Sequence, residues 1–90
     1  MSSARHRLAW LPRFERDYRK LSPELKIRVD RTLQQVELDL HYPSLHVKKM
    51  QGTDAIWESR VTRSCRSTFN VEGDRILLRT VGEHDVLKNP

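Results

Sequence analysis

Cysteine, glycine and long apolar runs are all scarce in this chain. Cys65 is the only cysteine, which excludes an internal disulfide, fits a reducing compartment and leaves no cysteine-based zinc pattern. No apolar run approaches the ~18 residues a membrane span needs, and the basic opening MSSARHRLAW lacks the apolar stretch of a secretory signal. A cytoplasmic protein with no membrane association is therefore expected. Asp and Glu are scattered singly, with no cluster suited to magnesium, so no metal and no other cofactor is expected. At 90 residues the chain has room for one domain, residues 1–90, with a modest core. That excludes an elaborate multilayer enzyme.

What the chain has in abundance is positive charge. Lys and Arg number 17 against 12 Asp and Glu, a formal net charge of +5. Such a surface favours polyanions, nucleic acid first among them, although an acidic protein partner satisfies the same field.

The apolar pattern changes period midway. In RHRLAW, Leu8 and Trp10 alternate as in a short strand, and Pro12 then marks a change of structure. Phe14, Tyr18 and Leu21 follow at helical spacing over about two turns. Ser22, Pro23 and Glu24 form a helix start: a serine cap, a proline where no donor is needed and an acid at the positive end. Leu25, Val29, Leu33, Val36 and Leu40 continue as a helical stripe that stops before Pro43. The second half holds three strand candidates, IWESRV, CRSTFNV and RILLRTV, the last two separated by EGD. The expected fold is α+β, an N-terminal strand and helical hairpin packed on a small antiparallel sheet.

Register places the charges. A two-residue turn at Gly73 and Asp74 pairs Val71 with Ile76 and Phe69 with Leu78, which sets Thr68 against Arg79 and Arg66 against Val81 on the opposite face. A three-residue connection at 62–64 pairs Val61 with Cys65 and Arg60 with Arg66. Arg60, Arg66 and Arg79 are thus expected together on the side of the sheet away from the helices, with Arg63 in the intervening turn. Guanidinium groups in such numbers suit phosphate oxygens. Lys48 and Lys49 precede a turn expected at Gly52, His84 follows Gly82, and His46 is a further candidate beside the lysines.

These parts match what metal-independent RNA cleavage requires: a base for the ribose 2′-hydroxyl, cations for the pentavalent phosphate and an acid for the departing 5′-oxygen. Plainer readings stand beside this one. Glu58 is placed to neutralise Arg60 or Arg79 in a surface ion pair, the lysines are a solvated pair, each histidine is a surface residue, and Cys65 packs as a small apolar side chain. Trp10 and Trp57 serve as core or as anchors for a partner.

Three stretches together, RFERDYRKLSPELKIRVDRTL, LHVKKMQGTDAIWESRV and CRSTFNVEGDRILLRTVGEHDVL, resemble the RelE/ParE superfamily of type II toxins, in particular its RelE-like cytotoxin branch. The resemblance spans nearly the whole chain. It implies a ribosome-dependent mRNA interferase with a cognate antitoxin as partner and mRNA on the ribosome as substrate. By that resemblance Arg66 takes the place of an arginine that contacts the scissile phosphate. Arg60 lies near a second basic position, and His84 matches a catalytic histidine. Lys48 and Lys49 fall in a loop that supplies lysines. Catalytic roles are accordingly expected of His84, Arg66 and Arg60, and RNA binding of Lys48, Lys49, Arg63, Arg79 and His46. The chain departs from the pattern at Cys65, where the family has an aromatic residue, and at Ser67, where it has an apolar one, so a thinner core is expected under Arg66. Two alternatives remain open: a ParE-like toxin that inhibits DNA gyrase by binding, and a degenerate toxin that only binds its antitoxin.

Overall fold

A computed structural model of the chain describes residues 6–52, 55–83 and 85–90. Strand β1 (Arg7–Trp10) leads into helix α1 (Pro12–Arg19), and helix α2 (Pro23–Leu38) follows after a short break. Both helices begin as their sequences dictate. Pro12 and Pro23 occupy the first turn, and the Ser22 hydroxyl accepts a hydrogen bond from the Leu25 amide at 3.2 Å. A 3-10 turn (Pro43–Leu45) and a two-residue strand β2 (Lys48–Lys49) lead to β3 (Trp57–Arg60), β4 (Arg66–Glu72), β5 (Arg75–Gly82) and a single helical turn, α3 (Asp85–Lys88). The α+β architecture is the one expected.

The five strands form one sheet in the order β1-β5-β4-β3-β2. β1 runs parallel to β5 while the other pairs are antiparallel, so the sheet is mixed and the expectation of a wholly antiparallel sheet is corrected. The first strand joins the sheet edge beside the last one, and the connection between them includes the helices that cross over. One face carries the core. Phe69, Ile76 and Leu78 from the sheet meet Phe14, Val29 and Val36 from the helices, all with no exposed surface. Each such large side chain contributes about 1.5–3 kcal/mol relative to solvent exposure. Trp10 closes the β1–α1 corner, its ring edge-on to Phe14 at 4.9 Å and to Tyr18 at 5.0 Å. The Tyr18 hydroxyl donates to Asp30 at 2.8 Å and fastens α1 to α2. That hydrogen bond to the carboxylate raises the tyrosine pKa.

The β4–β5 register is the expected one from Glu72–Arg75 to Phe69–Leu78 and then shifts. Arg79 is an extra residue on β5, so Thr68 faces Thr80, Ser67 faces Val81 and Arg66 faces Gly82. The expected pairs of Thr68 with Arg79 and Arg66 with Val81 are therefore corrected. The physical reason is burial: strict alternation would turn Val81 outward, whereas the bulge returns it to the core, where it is buried. The Asp17 carboxylate on α1 accepts from the Val81 amide at 3.3 Å, beyond the end of β1.

Ser67 has its polar group satisfied inside the structure. Its hydroxyl lies 2.6 Å from that of Ser59 on the paired strand, and both residues are buried. Cys65 is also fully buried within the core cluster, and burial, reinforced by the Glu83 carboxylate, pushes its thiol pKa up to about 11. It is a packing residue held in the neutral form.

Candidate nucleic-acid interface

On the opposite face of the sheet, Arg60 and Arg66 sit directly across from one another, as the register argument expects. Like charges in that position repel, and the two side chains resolve the conflict differently. Arg66 turns back onto the β3–β4 connection. Its Nη1 donates to the carbonyls of Thr62 at 2.6 Å, Arg63 at 2.9 Å and Cys65 at 3.2 Å. Its Nε also lies 3.8 Å from Glu58. The same connection is closed by the Val61 and Thr62 amides, which both donate to the Cys65 carbonyl, and by the Cys65 amide, which donates to the Thr62 hydroxyl. Arg66 is thus partly a fastener of the turn. Arg60 is exposed, and no described carboxylate lies within 4.0 Å of its guanidinium.

Beside these two arginines opens a cleft of about 300 Å³, lined by His46, Val47, Lys48, Glu58, Arg60 and Arg66. Register explains its composition: Lys48 pairs with Glu58 on β3, which places the lysine at the rim and the carboxylate at the floor. Glu58 is the only acid in the lining. The sequence suggested it as a partner for Arg60 or Arg79, but it lies against Arg66 instead, and its carboxylate is in reach of the cleft. Lys49 lies with Lys48 along an adjoining groove on the β2 side.

His46 holds the most central position. It follows the 3-10 turn with φ 47° and ψ 46°, a left-handed conformation. Such a backbone costs a non-glycine residue about 1–2 kcal/mol and is often retained at functional positions. Its exposed imidazole lines the cleft just described and also a second one of about 340 Å³, on the α2 side of the β3–β4 turn. Arg60 is shared in the same way. Exposed Arg63 lines only the second cleft.

Arg79 is elsewhere. The bulge separates it from Arg60 and Arg66 by the Thr68–Thr80 pair, whose hydroxyls are 2.5 Å apart. Its Nη1 donates to Asn70 Oδ1 at 2.7 Å and its Nε to the Pro90 oxygen at 2.9 Å. Arg79 therefore does not share the cleft expected to group it with the other two, since one donor is spent on Asn70 of β4 and another on the C-terminal Pro90 oxygen. His84 lies outside the described residues. Among the described residues no group of three or more His, Cys, Asp or Glu side chains is gathered to hold a metal, and no helix is long and apolar enough to cross a membrane.

No family model matches the sequence, and no curated protein matches it. Solved structures do. YafQ from E. coli superposes with a TM-score of 0.77 at 9% identity, covering 91% of this chain and 97% of that one. A YoeB/ParE toxin from Agrobacterium tumefaciens gives 0.73 at 14% identity, covering 87% and 98%. A chain of the RelB-RelE antitoxin-toxin complex from Methanococcus jannaschii gives 0.73 at 18% identity, covering 89% and 94%. The chain has the fold of the RelE/ParE toxins.

Proposed function

We propose that this protein is the toxin of a type II toxin-antitoxin pair and a metal-independent endoribonuclease that cleaves mRNA on the ribosome. The observation that carries this reading is the convergence of His46, Lys48, Glu58 and Arg60 on one open cleft of a RelE/ParE-like fold. Cleavage needs the ribose 2′-oxygen to lose its proton and attack phosphorus, while the bond to the 5′-oxygen breaks and that oxygen takes up a proton. Glu58 and His46 are the groups in the cleft that can accept and return a proton. Arg60 and Lys48 supply positive charge where the phosphoryl oxygens gain negative charge. His84 remains a further proton donor by resemblance. An antitoxin that covers this cationic face would silence it.

Induction of the chain in cells, followed by primer-extension mapping of transcript ends, tests the reading. Cuts at defined codon positions are expected, and they should disappear with Arg60→Ala. One specific observation favours the binding-only alternative: Arg66 commits its guanidinium to three carbonyls of its own turn instead of leaving it free for phosphate. Growth arrest with intact transcripts would support the ParE-like toxin, and neither arrest nor cuts the degenerate one; either outcome would overturn the nuclease.

A further inference from the structure

The second cleft, between α2 and the β3–β4 turn, has no role in the chemistry above. Arg28 and Arg31 of α2, Arg60, Arg63 and His46 line it, and no acid does. All four arginines are exposed, and no described carboxylate lies within 4.0 Å of their guanidinium groups. Glu24, one turn before Arg28, does not pair with it. The contrast with α1 is direct: there Arg13 pairs with Asp17 and Arg19 with Glu15, each one helical turn apart. Helix α1 thus pairs two of its three arginines, Arg16 being the exception, whereas α2 leaves both Arg28 and Arg31 unpaired among the described residues and repelling one another. Like charges a turn apart destabilise a helix, so such an arrangement is most economically explained by an anion that sits among them.

We infer that this cleft binds the phosphate backbone of a single RNA strand, extending the path of the strand from the sheet face, past His46 and Arg60, across Arg63 to Arg28 and Arg31. This deepens the reading proposed above and rests on it for the identity of the polymer. Continuity comes from the two shared residues, which line both clefts. The remaining lining favours a sugar-phosphate chain over an acidic peptide. Gln35, Ser44 and Thr62 line it with polar groups, while the two apolar residues, Leu45 and Val61, are buried and present little surface to a peptide side chain. Forked guanidinium donors match phosphate oxygens in pairs.

The test measures binding, not cleavage, so that failure of the nuclease reading and failure of this one remain distinguishable. A fluorescent 2′-O-methyl oligoribonucleotide of about twelve nucleotides, within the usual site size for single strands, binds but has no free 2′-hydroxyl to react. Its affinity for the full chain is titrated against salt. Arg28→Gln with Arg31→Gln should weaken binding about tenfold at low salt and reduce the slope of log affinity against log salt by about 1.4, two phosphate contacts at about 0.7 each. Arg13→Gln with Arg19→Gln removes the same formal charge from α1 and should change neither. Should the α2 variant lose stability, Arg63→Gln at the exposed turn provides an independent loss of about one contact. Equal losses from the α1 and α2 variants, or no loss from the α2 variant, would overturn the inference. So would a polyglutamate peptide whose binding depends on Arg28 and Arg31 while oligonucleotide binding does not.

Discussion

Arg66 and Arg79 differ from Arg60 and Arg63 in what their guanidinium groups are doing, although all four belong to the same run of strands and turn. The first two are fasteners: Arg66 donates to three carbonyls of the β3–β4 turn, and Arg79 bridges Asn70 and the Pro90 oxygen. The second two are exposed, and no described carboxylate lies within 4.0 Å of their guanidinium groups. A cluster of arginines in a sequence is therefore not one functional unit. Part of it holds the scaffold, and that part makes the remainder available to a ligand.

The largest effects should separate the two classes by what fails. Arg60→Ala should leave stability within about 0.5 kcal/mol, as for an exposed residue without partners, while lowering the cleavage rate about a hundredfold or more. His46→Asn should behave alike, because asparagine tolerates the left-handed backbone yet cannot exchange a proton; a loss of about a hundredfold is expected in single-turnover cleavage of an RNA substrate. Retained rates in both variants would remove the functional half of the comparison.

Arg66→Ala should fail in the other way. It leaves the Thr62, Arg63 and Cys65 carbonyls without their shared donor, and unfolding in urea should report a loss of about 2–3 kcal/mol. Inactivity of this variant by itself would not place Arg66 on the phosphate. If stability is unchanged and cleavage vanishes, Arg66 belongs with Arg60 instead.

How much of this was legible can be said residue by residue. The pairing of Arg60 with Arg66 follows from alternation alone, because only that register keeps Trp57, Phe69 and Val71 on one side. Simple pairing does not produce the bulge at Arg79, yet RILLRTV carries its signal: strict alternation from Ile76 and Leu78 puts Thr80 inside and Val81 outside, the wrong way round for burial. Arg28 and Arg31 carry no signal in the helical stripe, which is defined by Val29 and Leu33. The row Arg28, Thr32, Gln35 along the flank of that stripe was the available sign, but its meaning depends on the 3-10 turn and the β3–β4 turn docking beside it. That is tertiary information. His46 carried no local cue for its left-handed backbone, and its position between two clefts follows from the turn that precedes it.

A smaller effect sharpens the comparison through Cys65, whose thiol lies close enough to sense Arg66. Burial and the Glu83 carboxylate raise its pKa to about 11, and Arg66 opposes them. A thiol in the unfolded chain releases its proton near pH 9.0, so folding stability is fully present below that pH and declines as pH rises towards about 11. Relative to Cys65→Ala, the parent should lose about 2 kcal/mol across that window. Thiolate absorbance should appear at still higher pH in Arg66→Ala, provided the variant stays folded, because the opposing charge is gone. An unshifted thiol would mean that Arg66 does not sit against the turn in solution.

The smallest effect concerns Arg79. Replacement by Met keeps the length of the side chain and removes both of its hydrogen bonds, to Asn70 and to the Pro90 oxygen. The Thr68 hydroxyl still reaches that oxygen at 3.2 Å, and Val86 of α3 is still buried, so the C-terminal segment keeps other attachments. A loss of about 1 kcal/mol is expected, together with faster hydrogen exchange confined to α3 and the residues after it. Cleavage should persist, because Arg79 lines neither cationic cleft. If cleavage is abolished while exchange at the C-terminus is unaltered, Arg79 acts on the ligand, and the division between fastening and ligand-facing arginines fails at its weakest member.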